Sequence, residues 1–471
     1  MEIETKIKLF ENLIWIISTT LAIVAIVIIS LNGWLAGIAL LGIVLVVMAI
    51  ILDRDIIFPA FIIIVTSTAQ IPEQYHHIIS YGFTFILLGY WMLWRNQSNT
   101  SLSNLDRSVF YFMLAIVLLS LLSAIFSEYY RQSLFATARQ AVFFFIVYII
   151  YDWMRSEVQI QKVFYALVFI GLVISIPAIF QFAQSGFSLF SSSDNRPVRY
   201  AGFFTGVSAM GMNLSYILPI AFAMTLHLRN GFFRILLFFS VLIITGALFL
   251  TFARAAWLSA ALSTTVLLFT FKRGKQIVLM LFFLSVSIIL FSETVQDMLI
   301  VLIRLESGLT QRDILWKAAW EIFKDHPFLG TGPWTYKEYV FSYTRVEPGS
   351  WISGVVIFAK GGAHNFYLHS LAEFGISGFF MATGVFVLYF HKYRSAFRAS
   401  LRSDLRYFLY PCGAIIVGAF GGSFFHGAGI ITSGWLSVDL YFWVIFVVTL
   451  RIGEIGRSHS ISSEYSKEKN G

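Results

Sequence analysis

The apolar run ILLFFSVLIITGALFL (235–250) is separated from a second, AAWLSAALSTTVLLF (255–269), by only Thr251-Phe252-Ala253-Arg254. Each run approaches the roughly 20 apolar residues with which a helix crosses a bilayer, and neither shows the alternation of a barrel strand. The segment therefore reads as two helices meeting at one membrane face, with an arginine at the joint. Working outward, apolar runs follow one another from Leu13 to Leu450, with only short polar breaks until residue 293. Backbone groups in hydrocarbon must be bonded within their own segment, so helices do the spanning. A chain of 471 residues that is 58% hydrophobic and 12% charged, with mean hydropathy +0.78, cannot present a water-soluble surface. The expectation is an all-α polytopic membrane protein of about 12 to 14 transmembrane helices, the lower figure applying if the weak runs 56–72 and 141–154 do not span.

Lys and Arg concentrate in cytoplasmic loops. An N-terminus inside puts Arg54, Arg95, Arg107, Arg155, Lys162, Arg229, Arg234, the break around Lys272, the stretch Lys392 to Arg406 and the tail from Arg451 on the cytoplasmic side with Lys6 and Lys8, 21 basic residues inside against 12 outside. Both termini are then cytoplasmic, in a plasma (inner) membrane multi-pass protein. The first run follows Lys6 and Lys8 but is long and lacks a small-residue cleavage site, so it reads as a retained helix. Topology accounts for the net charge of +8 without a nucleic-acid partner. The single Cys412 excludes an intrachain disulfide framework.

The pattern divides the chain into an N-terminal bundle of about eleven spans (1–292), a large external loop (293–363), C-terminal transmembrane helices (364–451) and a polar tail (452–471). The external breaks 184–206 and 293–363 are too long for turns, and long loops on a rigid scaffold usually carry function. No G-x-x-x-x-G-K-[ST] loop and no H-E-x-x-H pair occurs, so no nucleotide site, cofactor or metal is expected. Gly330-Thr331-Gly332 follows Pro327 with no strand before it and reads as a loop bend.

Three segments carry candidate chemistry. Arg254 interrupts apolar sequence at a cost of at least about 2.5 to 3.5 kcal/mol if it lies well inside the membrane. Either it snorkels at the helix ends, or its planar fork faces an external cavity and binds an anion such as phosphate. Within the external loop, Thr310 and Asp313 resemble a capping box, and Ile314, Ala318 and Ile322 form an apolar stripe. An amphipathic helix ending near His326-Pro327 is expected. Arg312 falls in its first turn, opposed by the helix dipole. It either pairs with Glu306 or Asp313 on the surface, or joins the free amides of the helix start in holding an anion. Finally, His364 stands at the mouth of a re-entering helix, where the dipole favours a neutral ring. It is either a hydrogen-bonded cap or a general base for an acceptor hydroxyl. His369 and Glu373, spaced i, i+4, read as a structural pair rather than a proton relay.

The ordered set T-F-A-R-A-A-W-L (251–258), R-D-I-L-W-K-A-A (312–319), H-P-F-L-G-T-G-P-W (326–334) and H-N-F-Y-L-H-S-L-A-E-F-G-I-S-G (364–378) resembles the O-antigen ligase and O-antigen polymerase superfamily of bacterial envelope glycosyltransferases. The resemblance covers mainly residues 245–385. Arg199-Tyr200-Ala201-Gly202-Phe203 is a weaker echo of a further family stretch.

The resemblance implies a metal-independent transfer of a glycan from an undecaprenyl-pyrophosphate-linked donor to a hydroxyl acceptor on a glycan, lipid or protein, at the external face. Arg254 and Arg312 match the family's pyrophosphate-binding arginines and His364 its essential histidine. Arg199, Asn365 and Trp316 join Arg254 and Arg312 as candidate substrate-binding residues. Ligases and polymerases share these motifs, and the expectation inclines to polymerase or general exopolysaccharide assembly. The competing class is a transporter or lipid-linked-sugar flippase, which should show repeated halves and charge near the midplane. No such symmetry is visible, and the candidate residues fall in external breaks.

Overall fold

The computed structural model describes residues 54–67, 73–98, 102–191, 197–202, 206–228, 231–271, 274–276, 278–280, 312–344, 362–400, 405–427, 430–431 and 436–469. Among them the regular structure is helical: α1 (Arg54–Ser67), α2 (Glu73–Ser98), α3 (Arg107–Ile125), α4 (Tyr130–Trp153), α5 (Glu157–Gln184), α6 (Val207–His227), α7 (Gly231–Leu250), α8 (Arg254–Phe269), α9 (Arg312–Asp325), α10 (Tyr336–Thr344), α11 (Phe366–Ala399), α12 (Arg406–Gly422) and α13 (Leu436–Lys469).

Seven of these helices, α3 to α7, α11 and α13, are long and apolar enough to cross a membrane, and shorter apolar stretches lie in α1, α2 and α8. This bears out the all-helical membrane class, while the expected 12 to 14 spans exceed what the described residues contain. The runs before Arg54, the stretch 281–311 and most of the boundaries of the 293–363 loop lie outside the described residues. The weak run at 141–154 is the second half of α4, a 24-residue helix. At 56–72, helix α1 is only 14 residues long.

Burial sorts the helices. The apolar window of α13 is 100% buried, making it the axis of the bundle, whereas those of α3 and α7 are 33% buried. Phe238, Phe239 and Leu242 of α7 point outward, as hydrocarbon rather than water requires. Close approach depends on small residues, as is usual between membrane helices. A Cβ at Gly211 of α6 would lie 2.9 Å from the methyl of Ala256, and one at Gly418 of α12 would lie 2.5 Å from the Ser259 carbonyl. The alanines after Arg254 are thus a packing face on which α6 rests.

The breaks between helices gather at two ends. At one, Lys392 pairs with Asp106 at 2.7 Å, Arg155 with Asp152 at 2.7 Å, and Arg451 with Glu454 at 2.6 Å. Nearby, Tyr151 donates to the Asn104 carbonyl and Arg451 to that of Tyr151. At the other end the 251–253 turn receives a hydrogen bond from Arg199, and residues 327–336 pack onto α3, α4 and α11. These two sets are those that the basic-residue count assigns to opposite faces.

The second end is built around a kink. Gly375 of α11 takes φ 62° and ψ −150°, a conformation essentially restricted to glycine. The freed backbone groups are satisfied from the 327–332 loop: Thr331 N donates to Ala372 O, Gly332 N to Glu373 O, and Ile376 N to Pro327 O at 3.1, 2.9 and 2.8 Å. Ser123 of α3 adds its hydroxyl between the Leu329 and Glu373 carbonyls. The Gly330-Thr331-Gly332 stretch is therefore a bend seated in a helix kink, as its sequence context suggested.

Candidate active site

Three helices begin where the three motifs place their charged residues. The α7–α8 corner is tight: Phe252 adopts φ 47°, and Thr251 caps the turn by accepting from Ala253 N. Arg254 follows in the first turn of α8, whose N-cap, Ala253, offers no side-chain acceptor. Arg312 opens α9, the amphipathic helix expected from its stripe, with Leu315, Ala318, Ala319 and Ile322 buried and Ile314 partly so. Its end at Asp325 also agrees; Thr310 and Glu306 lie outside the described residues. His364 precedes α11 with φ 51°, a conformation uncommon for a residue with a side chain. Asn365 is the N-cap of α11, its Oδ1 accepting from Tyr367 N and Leu368 N at 3.0 Å each.

These starts converge. Arg312 is held below the ordinary arginine range, at about 10, by burial and then by the guanidinium of Arg254. His364 is pushed down to about 3, first by burial and then by His426, Arg312, His369 and Arg199. Arg199, Arg312 and His426, from three other stretches, and His369 of α11 itself thus crowd like charges around one imidazole. Such crowding is unfavourable in an empty site and becomes favourable when an anion shares it.

The remaining candidates take distinct places. Arg199 is exposed; its Nε donates to Thr251 O at 2.9 Å and a terminal nitrogen to Ser208 Oγ at 3.4 Å, tying the 197–202 segment to the α8 corner. Trp316 lies one turn beyond Arg312. Its ring is 6.1 Å from that of Phe425, and its buried Nε1 finds no hydrogen-bond partner among the described residues. The Asn365 side-chain oxygen is engaged in capping, which leaves its amide nitrogen for any contact with substrate.

His369 and Glu373 lie 3.4 Å apart, and Glu373 also accepts from Tyr336 N at 3.1 Å. This carboxylate fastens the turn before α10 to α11, the structural role the spacing suggested. Sequence reading passed over His426, buried at 6% exposure in the loop after α12. Its signal was there: a histidine in the short break SFFHGAG (423–429) that the span alternation assigns to the external side. Among the described residues no three His, Cys, Asp or Glu side chains group as a metal site requires.

A polytopic helical membrane protein with arginines and histidines gathered at one end of its bundle, at the starts of three helices, has a site suited to an anionic substrate. Residues 239–383, which hold Arg254, Arg312 and His364, match the family model described as O-Antigen ligase. Over that stretch, about a third of the chain, the match supports a likeness to the O-antigen ligase and polymerase superfamily. No curated protein matches it.

Proposed function

We propose that the protein transfers or polymerises a glycan from an undecaprenyl-pyrophosphate-linked donor onto a hydroxyl acceptor, without a metal, at the external face of the membrane. The observation that carries this reading is the position of Arg312, electrostatically coupled both to Arg254 and to His364. Motif residues far apart in sequence thereby form one cationic cluster around one imidazole.

Arg254 and Arg312 bind the pyrophosphate, and their fixed charge grows in effect as the leaving oxygen becomes anionic. The acceptor oxygen attacks the anomeric carbon while the carbon–phosphate oxygen bond breaks and its electron pair departs on the pyrophosphate. The acceptor proton passes to His364. A single displacement inverts the anomeric centre. In the empty site His364 is a feeble base, because burial and cationic neighbours disfavour its protonated form. The bound pyrophosphate offsets those neighbours, so the imidazole gains basicity only once the donor is in place. Arg199 and Trp316 flank the donor, and the energy for transfer is stored in the donor itself. Polymerase or general exopolysaccharide assembly is the preferred form of the activity.

The test is reconstitution of purified protein with a defined undecaprenyl-pyrophosphate glycan, beside His364→Ala. Ladders from donor alone that vanish in the variant identify a polymerase, and a single shift on an added acceptor identifies a ligase. Carrier movement across liposomes with no product would replace the enzyme by a flippase.

A further inference from the structure

We propose, resting on the donor reading above, that His426 binds the pyrophosphate of the donor as an imidazolium, alongside Arg312 and Arg254. The loop that carries it is locked to the site at both edges. Phe366 N, at the start of α11, donates to Ser423 O at 2.9 Å. Beyond His426, a Cβ at Gly427 would lie 3.6 Å from His364 N, so the two backbones run against each other. Between these points Phe425 meets Trp316, one turn from Arg312 on α9. His426 is therefore held between the element that presents Arg312 and the element that presents His364.

The charged and titratable groups around this pair come from every neighbouring element. They are Arg199 beside α6, Arg254 on α8 through its effect on Arg312, Arg312 on α9, and His364 and His369 at the start of α11. Glu373 is committed to His369 and to Tyr336 N. Of the charged neighbours acting on His364, His426 has the largest effect. A multiply charged anion held beside Arg312 and His364 would draw a proton onto a buried imidazole next to it. The protonated ring then donates to phosphate oxygen as a charge-assisted partner.

Inorganic pyrophosphate serves as the probe, with binding to the purified full-length protein measured at about pH 6 and about pH 8, either side of an ordinary histidine. Relative to wild type, His426→Gln should bind at least about tenfold more weakly at the lower pH, and this gap should close at the higher one. His426→Arg, a fixed cation, should restore binding at both. A gap of equal size at both pH values would mean a merely structural residue and overturn the proposal, as would failure of the arginine variant to restore binding while its melting temperature is unchanged. In wild type itself, diethyl pyrocarbonate labelling of His426 should drop severalfold when pyrophosphate is present; unchanged labelling overturns the assignment without any variant. Wild type that does not bind pyrophosphate would remove the donor reading together with this one.

Discussion

At the residue scale, Arg312 and His364 separate geometry from charge. Arg312→Lys keeps a positive charge but loses the fork that meets two phosphate oxygens at once. Transfer should fall at least about tenfold, about 1.4 kcal/mol, and steady-state kinetics at saturating acceptor will show it. A wild-type rate in that variant takes Arg312 out of the site. His364→Ala should cut transfer by roughly 10² to 10⁴, the usual contribution of a positioned base, while pyrophosphate affinity stays near wild type. Loss of affinity instead would make His364 a binding residue. Its ionisation also leaves a mark on stability. The unfolded chain takes up a proton below about pH 6.5, whereas in the fold the ring remains neutral down to about 3. Stability linked to His364 is therefore full above about 6.5 and is lost as pH falls from there towards about 3. Thermal unfolding at about pH 5 and about pH 7 should show a smaller acid loss for His364→Gln than for wild type, and equal losses would contradict the neutral buried ring.

At the element scale, the site depends on the clamp between α11 and the 327–336 loop. A Cβ at Gly375 would meet the Phe328 carbonyl carbon at 2.5 Å, on backbone already at positive φ. Left-handed backbone alone costs an ordinary residue about 1 to 2 kcal/mol, so Gly375→Ala should lower the melting temperature and the transfer rate together. Ser123→Ala is the milder probe: it takes the hydroxyl donor from the Leu329 carbonyl, at about 1 to 3 kcal/mol, while the Glu373 carbonyl keeps Gly332 N. Both are checked by thermal unfolding in detergent, and an unchanged Gly375→Ala melting curve would mean that α11 does not need its kink. The i, i+4 spacing of His369 and Glu373 was readable as a pair, but the amide of Tyr336 that the carboxylate also holds is 37 residues away and follows no local period.

At the scale of the whole molecule, sidedness can be read out because the native Cys412 is buried and gives a quiet background. Phe328, 78% exposed at the site end, replaced by Cys should react with a membrane-impermeant maleimide from outside intact cells. Arg457→Cys, exposed at the opposite end, should react only after permeabilisation. The reverse pattern would put the cationic cluster in the cytoplasm. Transfer that persists in chelator is the further expectation of chemistry driven by fixed guanidinium groups, and a loss reversed by added metal would overturn it.

Hydropathy determined the membrane class, the helical secondary structure and the two groups of helix ends, because burial in hydrocarbon acts on every residue of a run and is written in composition. Sequence also supplied Arg254, Arg312 and His364, since charge placed at apolar or interfacial positions needs a reason. It left open whether Arg254 snorkels or faces a site, and whether Arg312 pairs on the surface, because each choice depends on partners distant in the chain. Tertiary packing sets Arg254 within electrostatic reach of Arg312 and Arg312 within reach of His364, and the proposed site rests on that arrangement. It also added His426, whose meaning lies in the neighbours gathered around it and not in the residues beside it in sequence. Local sequence carries the energetics of solvent and period, whereas the electrostatics of a site belong to groups that meet only when the helices pack.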